Sequence, residues 1–292
     1  MDRASFLLWV VEYKSKASRR SLLCLRILAK LKLMSYVGGK ARRSSFILDL
    51  INSPTFDGWH YVEPFCGYCN VVRRVVNKKT LAASDCHPLL CSLLRAVQAG
   101  APLPSHITRE RYYQLKTSGG DSVERAAACF GFSFNGKAWG GYTSSYTRPG
   151  GKTEDIWATR RRYYQRLCGS PGFAASTLTQ ADYRTAIGTS AATVTPQTTL
   201  IYLDPPYANT TGYGGTPRFD SAALWQTARE WSRRGAVVLV SEYNAPPDFA
   251  TVATQSKSST LAGGDKQTPR TERLFAHTSC LPRLPPSYQL GV

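Results

Sequence analysis

The sequence predicts an α/β fold, a mostly parallel sheet interrupted by a largely helical insertion. Three observations carry this. Short β-prone runs alternate with amphipathic segments of helix length, the order that builds parallel sheets. Several of these runs stop at an acid beside a turn residue, the position where open α/β sheets gather ligands. From residue 101 to 172 the rhythm gives way to sequence rich in Arg, Tyr, Phe, Trp, Gly and Ser, with no strand period.

The elements follow in order. Residues 1–33 are basic, and Ser21 to Leu33 is apolar but studded with Arg26, Lys30 and Lys32. They read as extra sequence ahead of a start at Met34, with a basic amphipathic helix or a targeting peptide as alternatives. Core sequence is expected over 34–100 and 173–280. Within it, Ser44 to Ile51 reads as a short helix after Gly38-Gly39-Lys40. His60 to Phe65 reads as a strand turning at Cys66-Gly67, and Asn70 to Val76 as a helix. Thr80 to Ser84 is a strand ending at Asp85, and Pro88 to Ala99 a helix closed by Gly100. Beyond the insertion, Thr177-Leu178 leads to Asp182-Tyr183, and Thr199 to Leu203 leads to Asp204. A helix is expected over Ser221 to Ser232 and a strand over Ala236 to Val240. Ala250 to Thr271 reads as a mobile basic loop and Arg273 to His277 as the last strand. The proline-bearing tail, 281–292, is expected to be disordered.

Composition narrows the function classes. Against 19 Asp+Glu stand 37 Lys+Arg, a net charge of +18, which favours a polyanion and above all nucleic acid. In the insertion, cations interleave with aromatics: Arg111-Tyr112-Tyr113, Phe134-Asn135-Gly136-Lys137, Tyr146, Arg148 and Arg160-Arg161-Arg162-Tyr163-Tyr164. That mixture suits phosphate contact and base stacking, or a helical core built from the aromatics, or both. The eight cysteines form no disulfide framework, which predicts a cytoplasmic or otherwise intracellular, reducing setting. Cys66, Cys69, Cys86 and Cys91 have loose zinc-ligand spacing, but they flank turns with another use, so no metal is expected. Phe6 to Val11 is far too short to span a bilayer. The expected protein is a monomer with no membrane and no obligatory protein partner.

The chemistry concentrates in Leu200-Ile201-Tyr202-Leu203-Asp204-Pro205-Pro206-Tyr207. This run also fits a strand followed by an ordinary Pro-rich turn. As a site, it places a carboxylate, a carbonyl and a flat ring at a strand end, suited to an amino-bearing heterocycle. The single glycine after the first strand lacks the G-x-G-x-x-G of dinucleotide folds, which argues against NAD. Asp85, at the end of the second strand, suits ribose hydroxyls. A nucleoside cofactor without pyrophosphate fits, and S-adenosylmethionine is the obvious one.

With these motifs in this order, the chain from about Tyr36 to His277 resembles the Dam-type (alpha-class) DNA adenine-N6 methyltransferases. The resemblance rests on Tyr36-Val37-Gly38-Gly39-Lys40, Tyr61-Val62-Glu63-Pro64-Phe65-Cys66-Gly67, Ser84-Asp85-Cys86-His87-Pro88 and Phe134-Asn135-Gly136. It continues through Asp182-Tyr183, Asp204 to Tyr207, Ser241 to Pro246 and Glu272 to Phe275. It implies a Rossmann-like methyltransferase sheet, mostly parallel with an antiparallel last strand, and an inserted, largely helical DNA-recognition subdomain over 101–172. It also implies roles. Tyr36 and Lys40 would bind the cofactor's methionine carboxylate, Pro64, Phe65 and Gly67 would line the cofactor loop, and Asp85 would hold the ribose. Asp182 and Tyr183 would meet the cofactor's adenine. Asp204, Pro205, Pro206 and Tyr207 would grip the target base, with Asp204 also bordering the cofactor. Arg111, Asn135, Lys137, Arg148, Arg160, Arg161 and Arg162 are the candidates for contact with double-stranded DNA. The sequence departs from the family where Tyr68 and Cys69 replace further loop glycines and His87 replaces a more usual Asn.

The function expected is therefore site-specific methylation of adenine N6 in duplex DNA after base flipping, with or without a cognate restriction enzyme. An RNA adenine methyltransferase and a DNA-binding module with decayed activity are the alternatives.

Overall fold

A computed structural model describes residues 44–147, 151, 153–192, 195–207, 219–256 and 271–289. The 1–33 extension, Tyr36, the Gly-Gly-Lys segment, Arg148 and residues 257–270 lie outside them. The seven strands of the main sheet are β1 (His60–Glu63), β2 (Thr80–Asp85), β5 (Ser176–Gln180), β6 (Thr199–Leu203), β7 (Val237–Glu242), β8 (Phe249–Ser256) and β9 (Thr271–His277). Their order is β5-β2-β1-β6-β7-β9-β8. The pairs from β5 across to β7 are parallel, and β9 runs antiparallel to both β7 and β8. The expected fold class holds, including the antiparallel last strand. The chain first builds outward from β1 to β2 and β5, then returns to lay β6 on β1's other side. That reversal makes the β1–β6 boundary the switch point of the sheet.

Strand alternation sorts the core into two layers. Tyr61, Leu200, Tyr202, Val237, Leu239, Leu274 and Ala276 face one side, beside α1 (Ser45–Ile51) and α2 (Pro88–Gln98). Val62, Ile201, Leu203, Val238, Val240 and Phe275 face the other. There α8 (Ser221–Arg233) inserts Leu224, Trp225, Ala228 and Trp231, with Asp220 capping its first turn. The parallel strands read as continuous apolar runs because both faces are covered.

The insertion contributes α3 (Arg109–Thr117), α4 (Val123–Gly131), a two-strand hairpin of β3 (Ser145–Thr147) and β4 (Thr153–Asp155), α5 (Ile156–Cys168) and α6 (Pro171–Ala174). It is helical as expected, yet it has no core of its own. Tyr112, Phe130, Phe132, Trp157, Tyr163 and Tyr164 are buried in the same cluster as Tyr61 and Tyr202. Most of the insertion's aromatics are thus core, whereas Tyr113 and Phe134 are exposed. Contact is closest at Gly172, where a Cβ would come within 2.1 Å of the Val72 carbonyl oxygen and 2.8 Å of that of Val75. No other residue fits there.

The structure corrects three expectations. The 70–76 helix is only a 3-10 turn at Val72–Arg74, because Cys69 takes a left-handed φ of 56° and Val75 is already extended. The loop expected from Ala250 begins instead as β8, whose pairing with β9 supplies what its small polar residues lack. A bulge at Thr251/Ala253 shifts that register. The tail is ordered as far as Gln289. Cys280 and Leu284 are buried, Cys280 Sγ donates to the Ala236 carbonyl, and the Arg283 guanidinium donates to the carbonyls of Gly235 and Gln197.

Candidate active site

Acids collect at one edge of the sheet. Glu63 ends β1, Asp85 ends β2, Asp204 follows β6, Glu242 ends β7 and Glu272 lies at the incoming end of antiparallel β9. The opposite direction of β9 is what returns Glu272 to this edge.

At the switch point polar groups pair off side by side. Tyr61 Oη donates to Glu63 Oε2 at 2.8 Å, and both residues are fully enclosed. Burial pushes the Glu63 carboxyl up to about 8. The Tyr61 hydroxyl and the Val72 N–H pull it back, and the charge of Asp204 adds to the rise. Tyr202 lies beneath Asp204, with its hydroxyl 2.9 Å from Ser241 Oγ. Burial and then the Asp204 charge hold that phenol well above its ordinary range. Tyr207 donates its hydroxyl to Glu272 Oε1 at 2.7 Å and sets its ring edge-on to Tyr243, with centroids 4.8 Å apart. Pro205 is buried, while Asp204, Pro206 and Tyr207 remain partly exposed at the mouth. The tetrapeptide is therefore a braced rim rather than a loose turn.

Beside it, the turn after β1 closes onto β2. Gly67 has φ +49°, and its N–H donates to Asp85 Oδ2 at 3.2 Å. Asp85 Oδ1 accepts from the His87 N–H at 3.0 Å. Burial raises the Asp85 carboxyl above its ordinary value, opposed by these N–H groups and that of Cys86. Further along the edge, Phe65 stacks on Tyr183 at 5.3 Å, and Phe219 meets both rings, at 5.9 Å and 6.2 Å. These three rings make an apolar corner next to Asp85. Asp182 stands at its rim, exposed and gripped by the Arg184 guanidinium at 2.8 Å.

The structure thus brings together Pro64, Phe65, Gly67, Asp85, Asp182, Tyr183 and Asp204 to Tyr207. Tyr36 and Lys40 lie outside the described residues. Five side chains of this neighbourhood were not selected from sequence: Glu63, Tyr202, Ser241, Glu272 and Phe219. Period-two alternation already signals one of them, because Tyr202 shares a strand face with Asp204.

The basic candidates divide. Arg160 is a correction: it is 6% exposed, and its guanidinium donates to the carbonyls of Phe130 and Gly131 inside the insertion. It holds α5 to α4 and has no access to a phosphate. Arg111 is exposed, but both sides of its fork are occupied by Glu124, at 2.6 and 2.9 Å. Asn135 (φ 52°), Lys137, Arg161 and Arg162 are exposed, and among the described residues Lys137 and Arg161 enter no ion pair. Arg148 lies outside the described set.

The cysteines point to packing. Cys91 Sγ donates to the Asp85 carbonyl at 3.3 Å, and burial pushes its thiol up to about 12 and that of Cys86 up to about 11. No helix among the described residues is long and apolar enough to cross a membrane.

Comparison with known proteins adds a family. Residues 36–129 match the model of the D12 class N6 adenine-specific DNA methyltransferases. The match takes in β1, β2, Gly67, Asp85, α3 and α4 as far as Cys129, and it stops short of Asp204. The sequence matches no curated protein. Among solved structures, the chain is similar to the rRNA methyltransferase AviRa from Streptomyces viridochromogenes in two structures. One shows 15% identity over 87% of this chain and 91% of that one, with a TM-score of 0.38. The other shows 16% identity over 79% and 81%, with a TM-score of 0.34. A conserved hypothetical protein of Streptococcus pyogenes shows 12% identity over 77% and 89%, with a TM-score of 0.31. Likenesses this distant say nothing about substrate.

Proposed function

We propose that this chain, a D12 class methyltransferase over residues 36–129, transfers a methyl group to the N6 amino group of an adenine flipped out of duplex DNA. S-adenosylmethionine is the methyl donor in this reading. The observation that carries it is the braced tetrapeptide at the β1–β6 switch point, with an aromatic corner, the buried Glu63 and the half-buried Asp85 beside it. The family match favours adenine and DNA.

The residues present fit such a donor. Phe65, Tyr183 and Phe219 offer faces to a purine, and Asp85 offers carboxylate oxygens to ribose hydroxyls. Glu63, enclosed and adjacent to Asp204, places a carboxyl that would give up its proton where a cationic methionine end would lie. Tyr36 and Lys40 would complete the carboxylate contact. When bound, S-adenosylmethionine supplies an electrophilic methyl group.

The chain's own residues would prepare the nucleophile. Adenine's amino lone pair is delocalised into the ring, so the free group attacks poorly. Asp204 and the Pro205 carbonyl would each accept one of its N–H bonds, favouring a pyramidal nitrogen with its lone pair turned away from them. The spare proton then leaves on the Asp204 side, which opens to solvent. Glu272 fixes the Tyr207 hydroxyl and so the plane of the ring on which the base stacks. Nothing here is a general base of unusual strength. Positioning and fixed charge supply the rate.

The test is labelled methyl transfer to duplex DNA, single-stranded DNA and RNA of matched sequence, with the products mapped by sequencing. Methyladenine in a fixed context in duplex DNA is expected. Asp204→Ala should lower transfer on the order of a hundredfold or more while leaving DNA affinity within a few fold. Transfer confined to RNA, or a fully active Asp204→Ala, overturns the proposal.

A further inference from the structure

Tyr68 is the residue that the sequence marks as out of place, a large side chain in the cofactor loop. It lies between two left-handed residues, Gly67 (φ +49°) and Cys69 (φ 56°), in a turn closed by Cys69 N–H donating to the Cys66 carbonyl at 2.7 Å. This double reversal turns the Tyr68 ring away from Asp85 and into the insertion, where it is 1% exposed. There its hydroxyl donates to the Gly136 carbonyl at 3.2 Å, and its ring meets Phe130 edge-on at 6.0 Å. The return contact comes from α5, where Tyr163 Oη donates to the Tyr68 carbonyl at 2.6 Å and lies 3.1 Å from Asn70 Oδ1.

Both ends of this link are turns under constraint. Asn135 and Gly136 are also left-handed, at φ 52° and 67°, and Trp139 follows at 49°. The turn presents Phe134 at 58% exposure, with Asn135 and Lys137 beside it. At the other end, the Gly67 N–H is committed to Asp85. Tyr68, the residue after Gly67, therefore joins the Asp85 hydrogen bond to the exposed Phe134–Lys137 surface through one peptide link and a buried ring.

We propose that Tyr68 is a positioning residue that couples occupancy of the cofactor loop to the shape of the 134–137 turn. Filling the Phe65–Asp85 pocket stiffens the loop, and Tyr68 passes that restraint to the turn. This rests on the reading of the pocket as a site for S-adenosylmethionine.

The experiment is amide hydrogen exchange on the full chain with and without S-adenosylhomocysteine. Affinity is first measured by calorimetry, so that wild type and Tyr68→Phe are compared at equal saturation. Tyr68→Phe keeps the ring and its packing and removes only the hydroxyl. In wild type, residues 66–70 and 133–139 should both slow on ligand addition, the latter by about fivefold or more. In Tyr68→Phe, 66–70 should still slow and 133–139 should not respond. A wild-type turn indifferent to ligand, or a Tyr68→Phe turn that responds as wild type does, overturns the coupling while leaving the pocket intact. Failure of wild type to bind S-adenosylhomocysteine overturns the cofactor reading itself, and the coupling with it.

Discussion

Glu63 and Asp248 stand at opposite edges of one sheet, and the chain treats the two carboxylates in opposite ways. Glu63, at the outgoing end of β1, is 2% exposed and touches a phenol, a backbone N–H and the field of another acid. Asp248, just before β8 at the far edge, is 36% exposed and is held by both sides of the Arg229 fork at 2.6 and 2.9 Å. The first is driven up to about 8 by burial, and the second is drawn down to about 2, chiefly by the Arg229 hydrogen bonds. Asp85 follows the first pattern, and the exposed Glu124, paired with Arg111, follows the second. A buried carboxylate without a cation costs stability unless a cation arrives. The far edge therefore supports the fold, whereas among the described residues no cation pairs with Glu63 or Asp85, and a guest can bring one.

The largest effect should come from Glu63→Gln, in two opposite directions. The folded-state pKa of Glu63 is raised above its unfolded value of 4.5, so the native protein holds the extra proton between pH 4.5 and about 8. Its stability must then fall as pH rises across that window, by on the order of 5 kcal/mol in full. Glu63→Gln should remove this slope and raise the melting temperature of the ligand-free protein at pH 8.5, with little change near pH 5. The same substitution should weaken S-adenosylmethionine binding by more than about tenfold. Thermal melts across pH, paired with calorimetry, check both halves, and a variant less stable at pH 8.5 would break the comparison.

Asp85→Asn sharpens it. An amide has one acceptor oxygen where the carboxylate has two, so either the Gly67 or the His87 N–H loses its partner. A cost of about 1–3 kcal/mol is expected, together with weaker binding of ligands that retain the ribose. A variant that binds adenine and S-adenosylhomocysteine with unchanged relative affinity would remove Asp85 from the site.

At the far edge, Asp248→Asn should cost about 1 kcal/mol or less, because the pair is partly screened by solvent. The sign is opposite to that of Glu63. The folded pKa lies below the unfolded 3.8, so the contribution is present above that value and is lost as pH falls through about 2. Denaturant melts at pH 7 and pH 2.5 should show the difference between wild type and variant shrinking.

The smallest effect on stability is Glu124→Gln, for which no change in melting temperature is expected. It releases the Arg111 fork. If α3 meets DNA, affinity should rise at low salt and the dependence on salt should steepen by about one counterion. An unchanged salt slope would leave Arg111 as a surface ion pair only.

How much of this was legible in the sequence depends on the range of the forces involved. Strands β1, β2 and β6 were readable because their apolar runs and terminal acids are local signals, and the tetrapeptide carried its chemistry in its residue types. Arg160 was misread although its position was informative. It falls on the stripe of Trp157, Tyr164 and Leu167 at helical spacing, whereas Arg161 and Arg162 do not. Strand β8 and the ordered tail escaped for a different reason. Ala250 to Ser256 has little apolar content, and its strand exists because β9 offers a ladder. The tail is fixed by Arg283 reaching carbonyls 48 and 86 residues away, a contact that no window on the sequence contains. The bracing of Tyr207 by Glu272 spans 65 residues and was equally out of reach.

The bulge in β8 has a consequence for how copies of the chain meet. β8 is an outermost strand, so one side of it offers a row of backbone donors and acceptors to any passing strand. The extra residue between Thr251 and Ala253 breaks the spacing of that row and bends it. A second copy that approached edge to edge would find the ladder out of step beyond Thr251, so the bulge disfavours growth of the sheet on that side.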